Sequence, residues 1–237
     1  MTERETTAAS RPAAGTFQAD AASGAPTFAA FAVSRHRLQF DGAGVTTLVT
    51  GMGCPLKCRY CLNPICADPD YKPRRFTVGE LYETVKIDSL YFEATGGGVT
   101  FGGGEPLLQA AFIRDFILYA RERGARWRFA VETSLAVPEE NLGLLTEPEI
   151  LIDEFIVDVK DMDAEVYRRY TEREPERMRK NLARLAALCP ERITARVPLI
   201  PGYNTEAGCD CSERELRGMG IASIDRFRYI LPKKKKA

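Results

Sequence analysis

The sequence predicts an α/β fold in which six strands alternate with helices to form a partial (β/α)6 barrel. Two observations support this prediction. Short runs rich in β-branched and aromatic residues recur along the chain, and segments with apolar residues at helical spacing lie between several of them. Such alternation favours parallel strands joined by right-handed crossovers, with the helices outside. The predicted strands cover residues 45–50, 99–101, 128–133, 155–159, 193–200 and 226–231.

Three segments carry clear helix signals. A glutamate follows Thr77 by three residues, which is the pattern of a capping box, so a helix is predicted to begin there. Pro106 suits a first helical turn, apolar residues follow it at helical spacing, and Gly124 ends the segment. A third helix is predicted over residues 178–188, where apolar residues recur every three or four positions.

The composition indicates a folded protein with no overall charge. The chain of 237 residues is 45% apolar and 28% charged, which permits a sizeable core. Residues 1–27 are rich in Ala, Thr, Ser and Gly and are predicted to be a mobile tail, with one core domain over residues 28–237. The 33 basic and 33 acidic residues balance, so neither nucleic acid nor a membrane is expected as a partner. Because there is no signal peptide and no apolar run of roughly 18 residues, a cytoplasmic location is expected.

Three of the seven cysteines, Cys54, Cys58 and Cys61, lie within eight residues. Thiolates are the usual ligands of iron–sulfur clusters, and three of them would leave one iron of a [4Fe-4S] cubane open to another ligand. A zinc site is an alternative, but its fourth ligand would have to be Cys66 or His36, and neither completes a familiar zinc pattern. A role as buried apolar residues is a third alternative. The other four cysteines form no second triplet, so one cluster per chain is predicted.

Glycine runs flank the second predicted strand, at Gly96–Gly98 and Gly102–Gly104. Glycine lets a ligand approach the backbone closely, although a tight turn explains such a run about as well. The second run follows a strand and precedes a helix, in a chain that also carries the cysteine triplet. It is therefore a candidate for binding an amino-acid moiety.

Charged residues stand at the ends of two further strands. The period-two pattern of a strand places Asp158 and Lys160 on one face, and Glu132 ends the preceding strand. For each of them, a surface ion pair is as good an interpretation as a ligand-binding group. The only histidine, His36, is expected to be a surface or structural residue, so histidine-based acid–base chemistry is not expected.

These motifs together resemble those of the radical S-adenosylmethionine (SAM) superfamily. The cysteine triplet, with Tyr60 before its last cysteine, is similar to the CxxxCx(aromatic)C motif, and Gly103-Gly104-Glu105 is similar to the GGE motif. Within the superfamily the chain most resembles the glycyl-radical-enzyme activating enzymes, the pyruvate formate-lyase activating type. The segments that carry this closer likeness, between about Phe40 and Pro232, are Asp41–Gly44, Asn63-Pro64, Gly96–Thr100, Asp158–Lys160 and Arg196.

The chain departs from the pattern of these activating enzymes at several positions. Ala43 replaces a turn proline, and Thr46 stands where an arginine is usual. Glu132 stands where an aspartate commonly helps to bind a monovalent cation. Lys233 and Lys234 replace a Tyr-His pair whose histidine contacts SAM. These departures concern partner docking and SAM affinity rather than the cluster.

The resemblance implies a TIM-like barrel of the radical SAM type, with one [4Fe-4S] cluster on the three cysteines. It also implies reductive cleavage of SAM to a 5′-deoxyadenosyl radical, which installs a glycyl radical on an exposed loop of a partner enzyme. Flavodoxin or ferredoxin would donate the electron, a monovalent cation could assist, and no catalytic residue beyond the cofactor ligands is expected. The first alternative is another single-cluster radical SAM enzyme acting on a peptide, tRNA or small molecule, and the second is a non-enzymatic iron–sulfur or zinc protein. The residues expected to bind SAM are Tyr60, Leu62, Gly103, Gly104, Glu105, Glu132, Asp158, Val159, Lys160 and Arg196.

Overall fold

The computed structural model of the chain describes residues 26–38, 40–150 and 152–230. The first 25 residues of the predicted tail, together with Lys233 and Lys234, lie outside the described residues. Within the described ranges, the frame of the fold is one eight-stranded sheet. Its strands are β1 (Phe28–Leu38), β2 (Val45–Gly51), β3 (Arg74–Phe76), β4 (Gly98–Gly103), β5 (Arg128–Thr133), β6 (Glu154–Asp158), β7 (Ile193–Leu199) and β8 (Ser223–Arg228).

Six of these strands run parallel and confirm the predicted alternation. In the order β2-β4-β5-β6-β7-β8, each strand is parallel to its neighbour. All six predicted strands overlap an observed one, although the last begins at Ser223 rather than at residue 226. β3 and β8 form the two ends of the sheet, so the described strands do not close into a full ring. The fold is therefore the partial (β/α)6 barrel that the sequence predicts.

The sheet also contains two antiparallel strands that the sequence pattern does not predict. β1 pairs with both β2 and β3 and extends the parallel sheet at one end. The Gln109 side chain fixes the start of β1, because it accepts from the Ala29 amide at 2.7 Å and donates to the Ala29 carbonyl at 3.3 Å. The alternation of strands and helices thus accounts for the barrel but not for the whole sheet.

Seven α-helices are present in the described ranges. They are α1 (Val78–Val85), α2 (Ser89–Thr95), α3 (Ala110–Glu122), α4 (Glu139–Gly143), α5 (Ala164–Thr171), α6 (Glu176–Leu188) and α7 (Glu206–Gly218). The predicted capping box is confirmed, because the Thr77 hydroxyl accepts from the Glu80 amide and the Glu80 carboxylate accepts from the Thr77 amide at 2.8 Å. The helix predicted over 106–124 divides into a 3-10 turn, Pro106–Gln109, and α3. Of the helices described, none has the length and apolar character needed to cross a membrane.

Aromatic packing between the sheet and its helices holds the strands in place. Phe101 of β4 and Phe129 of β5 both meet Phe116 of α3 edge to face, with ring centroids 5.5 and 6.2 Å apart. All three rings are fully buried, and such pairs contribute roughly 0.5–1.5 kcal/mol beyond their burial. The strand ends that carry the motifs are therefore anchored on a well-packed core.

Candidate active site

A cleft opens at the carboxyl ends of the parallel strands, where loops build the site in folds of this kind. Most of the expected site residues line this cleft, namely Cys54, Cys58, Tyr60, Cys61, Leu62, Gly103, Gly104, Glu132, Asp158, Lys160 and Arg196. Glu105 and Val159 are buried beside the cleft and do not line it. Five lining residues are absent from the expected set, namely Leu56, Asn63, Thr133, Ser134 and Tyr229.

The cysteine loop is held against the end of α5. The amide of Lys57 donates to the Thr171 carbonyl at 2.9 Å. The amide of Arg59 donates to the Tyr170 carbonyl at 3.0 Å. These two bonds flank Cys58 and fix its backbone position. The cysteine loop follows β2, whereas α5, which holds it, follows β6.

Burial governs the acidity of the thiols that face the cleft. It raises the pKa of Cys54 to about 12, and it also raises the pKa of Cys58. Cys61 is exposed, and a hydrogen bond from the Cys66 thiol lowers its pKa. Metal ligands must be thiolates, so assembly of a cluster on this loop would release protons from the two more buried thiols.

The donor set fits a [4Fe-4S] cluster held by three thiolates. Three thiols reach one cleft from a single short loop. Next to the loop, the hydroxyls of Tyr167 and Tyr170 are buried and have no hydrogen-bond partner among the described residues. This wall therefore offers hydrogen-bond donors that the rest of the described chain does not use. Among the described residues, no group of three or more His, Cys, Asp or Glu side chains is arranged to hold a metal ion.

The glycine run after β4 comes very close to the backbone of the cysteine loop. The Gly104 amide donates to the Gly51 carbonyl at 3.0 Å, and a Cβ at position 104 would lie 2.1 Å from the carbonyl oxygen of Gly53. Gly103 adopts a φ of +97°, a backbone conformation that favours glycine. The side-chain amide of Asn63 donates to the Gly103 carbonyl at 3.1 Å. Larger residues at 103 or 104 would therefore push the two loops apart.

Glu105 points away from the cleft and ties the glycine loop to the end of β5. Its carboxylate accepts from the Thr133 hydroxyl at 2.7 Å, and from the amide and hydroxyl of Ser134 at 2.8 and 2.6 Å. Burial raises the pKa of Glu105, and these hydrogen bonds only partly offset that effect. The glutamate therefore positions Ser134, which does line the cleft, rather than lining it directly.

Two ion pairs face the cleft from neighbouring strands. Lys160 Nζ lies 2.8 Å from Asp158 Oδ2, and Arg196 Nη1 lies 2.8 Å from Glu132 Oε1. Burial alone would raise the pKa of Asp158, but Lys160 outweighs it and the pKa is lowered. At Glu132 burial outweighs Arg196, and the pKa rises to about 7. Lys160 is only 8% exposed and the Asp158 side chain is 33% exposed, so this ion pair is partly buried.

The Lys160 backbone is also unusual. It has a φ of +64°, in the left-handed region that non-glycine residues rarely adopt. Such strain persists only where the surrounding structure imposes it, and it is common at functional sites. The residue that follows β6 is thus held in a costly conformation that places its ammonium in the cleft.

The only histidine belongs to a separate polar cluster. The ring Nε2 of His36 lies 3.1 Å from Oδ1 of Asp88, and this oxygen also accepts from Arg35. The other carboxylate oxygen, Oδ2, accepts from the Thr47 hydroxyl at 2.8 Å. Burial would raise the pKa of Asp88, but the hydrogen bonds from Arg35 and Thr47 outweigh it and lower the pKa. None of these residues lines the cleft, as expected for a structural histidine.

The fold and the cleft together define a partial barrel whose strand ends surround three cysteine thiols and two ion pairs. Residues 48–208 match the Radical SAM superfamily, which is well over half of the chain. The chain therefore belongs to the radical SAM superfamily and is a radical SAM enzyme. Membership implies a [4Fe-4S] cluster and SAM as cofactors.

Two curated relatives carry more specific names. The (2S)-3-sulfopropanediol dehydratase activating enzyme of Klebsiella oxytoca is 27% identical over 227 residues, and the match covers 70% of this chain and 69% of that protein. The pyruvate formate-lyase-activating enzyme of Staphylococcus aureus is 31% identical over 169 residues, covering 70% of this chain and 66% of the relative. Both relatives are named as activating enzymes, and the chain spans about two thirds of each.

Solved structures share the fold at low identity. Streptococcus suis SuiB superposes with a TM-score of 0.58 at 14% identity, over 78% of this chain and 39% of SuiB. A second SuiB structure, bound to S-adenosylmethionine, gives a TM-score of 0.56 at 14% identity, over 80% of this chain and 39% of SuiB. At this identity the likeness shows the shared barrel alone.

Proposed function

We propose that this radical SAM enzyme is an activase that installs a glycyl radical on a partner enzyme. The observation that carries the proposal is the similarity to activating enzymes of two different partners, at 27% and 31% identity. The proposal assigns the cluster to Cys54, Cys58 and Cys61. When bound, the reduced cluster and SAM supply a 5′-deoxyadenosyl radical, which removes a hydrogen atom from the glycine.

The charges of the cleft suit the methionine end of SAM, which is a zwitterion. Lys160 and Arg196 offer two cationic heads, and each is already paired with a carboxylate. The carboxylate of SAM could pair with one of the two cations, and the ammonium of SAM could pair with the carboxylate that this cation releases. The net charge of the cleft would then not change. The backbone of Gly103 and Gly104 lies open to the same space. We assign the amino-acid end of SAM to these groups.

The remaining expected SAM residues divide into two sets. Tyr60 and Leu62 line the cleft next to the last cysteine and are assigned direct contact with SAM. Glu105 and Val159 are buried and are assigned an indirect role. Glu105 holds Ser134, and the Val159 amide donates to the Arg196 carbonyl at 3.2 Å. The monovalent cation would have to share Glu132 with Arg196.

The margin of the cleft suits a peptide loop better than a small metabolite. Three large apolar side chains stand there in solvent: Phe40 is 73% exposed, Leu62 is 77% exposed and Ile230 is 91% exposed. Leu62 lines the cleft, the carbonyl of Phe40 accepts from Arg196, and Ile230 follows the lining residue Tyr229. Exposed apolar residues around a polar cleft are typical of surfaces that bind another protein. The proposal therefore includes a glycine-bearing loop of a partner. It also keeps two expectations from the sequence, which are a flavodoxin or ferredoxin as electron donor and a cytoplasmic location.

A second candidate is a radical SAM enzyme that acts on another peptide, on tRNA or on a small molecule. A SuiB structure bound to its precursor peptide shares the fold with a TM-score of 0.57 at 15% identity. This shows only that the same barrel can serve a different peptide chemistry. Superfamily membership makes a non-enzymatic iron–sulfur or zinc protein the weakest alternative.

The test is to mix the reduced enzyme and SAM with a glycyl-radical enzyme encoded nearby and to record an EPR spectrum. A glycine-centred doublet on the partner is expected. Cys58→Ala should abolish the doublet, while Cys211→Ala, which changes an exposed cysteine outside the cleft, should retain it. Steady release of 5′-deoxyadenosine with a small molecule, and no radical on any partner, would favour the second candidate.

A further inference from the structure

The side chain of Tyr167 on α5 is fully buried, yet its hydroxyl lacks a partner. Its exposed fraction is 0%, and no hydrogen bond to the hydroxyl is present among the described residues. Buried polar groups in folded proteins nearly always have a hydrogen-bond partner, and each exception calls for an explanation such as a group bound in the functional state. The phenol therefore points to something that binds beside it.

The position of Tyr167 places it next to the cysteine loop. The carbonyls of Tyr170 and Thr171 hold the loop on either side of Cys58, as described above. Tyr167 lies one helical turn before Thr171, whose hydroxyl donates to the Tyr167 carbonyl at 2.8 Å. Residues four apart lie on the same face of a helix, so this face of α5 supports the loop.

The charged groups that act on the phenol include the cysteines, in agreement with the position of Tyr167 behind the cysteine loop. Burial is the main cause that raises the pKa of Tyr167, and negative charge on Cys58, Glu105 and Cys54 raises it further, against a smaller effect of Lys160. The carboxylate of Glu105 is already engaged by Thr133 and Ser134 and accepts no bond from Tyr167. The phenol stays protonated at neutral pH and is available as a donor. Of the three acidic groups that act on the phenol, the two besides Glu105 are the thiols of Cys58 and Cys54, whose sulfur atoms can accept.

We propose that the hydroxyl of Tyr167 donates a hydrogen bond to the sulfur atoms of the bound cluster, on the side of Cys58. This inference rests on the assignment of the cluster to the three cysteines in the proposed function. Hydrogen bonds to cluster sulfurs are one of the factors that set its reduction potential, because they stabilise the more negative, reduced state. Tyr167 is thus a positioning residue that makes the cluster easier to reduce.

The test compares Tyr167→Phe with the matched variant Tyr170→Phe, both loaded with the cluster. Tyr170 is also fully buried on α5, but after burial the neighbour that most raises its pKa is Tyr229, by its charge and by a hydrogen bond, with a smaller effect of Cys58. EPR-monitored redox titration should give a more negative midpoint potential for Tyr167→Phe and an unchanged one for Tyr170→Phe. Pulsed EPR of the reduced protein in D2O should show an exchangeable deuteron near the cluster that Tyr167→Phe removes.

Three results would overturn the inference. The first is an unchanged potential and an unchanged deuteron signal in Tyr167→Phe, at the same iron content as the parent chain. The second is an equal shift of potential in both variants, which would indicate a general effect of losing a buried hydroxyl. Either of these two results would overturn only the role of Tyr167 and would leave the cluster and the proposed function unaffected. The third is a parent chain that binds no cluster at all, which would overturn both proposals.

Discussion

Replacing Glu105 tests how the glycine loop is held beside the cleft. Each carboxylate oxygen accepts two hydrogen bonds: one takes the Thr133 hydroxyl and the Leu107 amide, and the other takes the amide and hydroxyl of Ser134. Glu105→Ala removes all four acceptor positions. The hydroxyls can turn to other partners, but the buried amides of Leu107 and Ser134 cannot.

The expected cost follows from these contacts. An unsatisfied buried donor costs about 1–3 kcal/mol, and a truncated buried side chain adds the cost of a cavity, so Glu105→Ala should lower the free energy of unfolding by about 3–5 kcal/mol. Glu105→Gln keeps one oxygen for the Ser134 amide, and its amino group can donate to the Thr133 hydroxyl but cannot accept from the Leu107 amide. Since it leaves one amide unpaired and opens no cavity, it should cost less, about 1–2 kcal/mol.

The pH dependence of the free energy of unfolding provides a second readout, and the structure predicts its direction. Burial raises the pKa of Glu105 in the folded chain, so the folded state holds this proton more tightly than the unfolded state does. The stability that it contributes is therefore greatest below the unfolded pKa of about 4.3 and falls as the pH rises through the folded pKa. The advantage of the parent chain over Glu105→Gln should shrink across that window.

Urea unfolding of the anaerobically purified, cluster-free chains measures both effects, because metal release then does not disturb the transition. Affinity for SAM, measured on the loaded proteins, should fall for Glu105→Ala and change little for Glu105→Gln. An equal loss of stability in the two variants would refute this account, as would an advantage over Glu105→Gln that grows with pH.

Three further substitutions test other parts of the structure. Thr77→Ala should lower the free energy of unfolding by about 1 kcal/mol in urea titrations through loss of the α1 cap, and no loss would mean that the capping box does not hold in solution. Asp88→Asn should cost about 2–3 kcal/mol at neutral pH. Because the pKa of Asp88 is lowered in the folded chain, that difference should begin to shrink as the pH falls below the unfolded pKa of about 3.9 and should be lost below the folded pKa, so a difference that does not change with falling pH would contradict the assignment. Lys160→Met should destabilise the chain by about 1–2 kcal/mol more than the double replacement with Asp158→Asn, because the single change leaves the partly buried carboxylate of Asp158 unpaired. Both should weaken SAM binding measured by isothermal titration, whereas Lys57→Met, at an exposed position in the cysteine loop, should not.

The barrel strands could be predicted because their pattern is local. A run such as β5 (Arg128–Thr133) is apolar on both faces, as parallel strands covered by helices must be. β1 gives no such signal, since its second half carries Arg35, His36 and Arg37 and its burial follows no regular alternation. Its place depends on antiparallel pairing with β2 and β3, and the register shifts twice along the pairing with β2. Strand β8 begins three residues before its predicted start. Its residues are mostly exposed, so they show no apolar run that would mark its bounds.

The site could be predicted where a motif or a charge marks it. The cysteines lie close in sequence, and Glu132, Asp158 and Lys160 are charged residues at strand ends. Ser134 is neutral, but it directly follows the end of β5, so the strand-end rule could have found it. Tyr167 has no such signal. From the sequence, a tyrosine inside a helix is expected to be an ordinary core residue. The feature that marks Tyr167 appears only in the folded chain, where its hydroxyl is buried without a partner.

Label transfer from the partner's glycine tests the central claim most directly. A glycyl-radical enzyme carrying glycine deuterated at Cα is mixed with the reduced enzyme and SAM, and the 5′-deoxyadenosine formed is analysed by mass spectrometry. The account predicts one deuterium in 5′-deoxyadenosine for each glycyl radical formed on the partner, with no transfer in Cys58→Ala. Unlabelled 5′-deoxyadenosine, formed at the same rate with and without the partner, would contradict the claim that this chain activates a glycyl-radical enzyme.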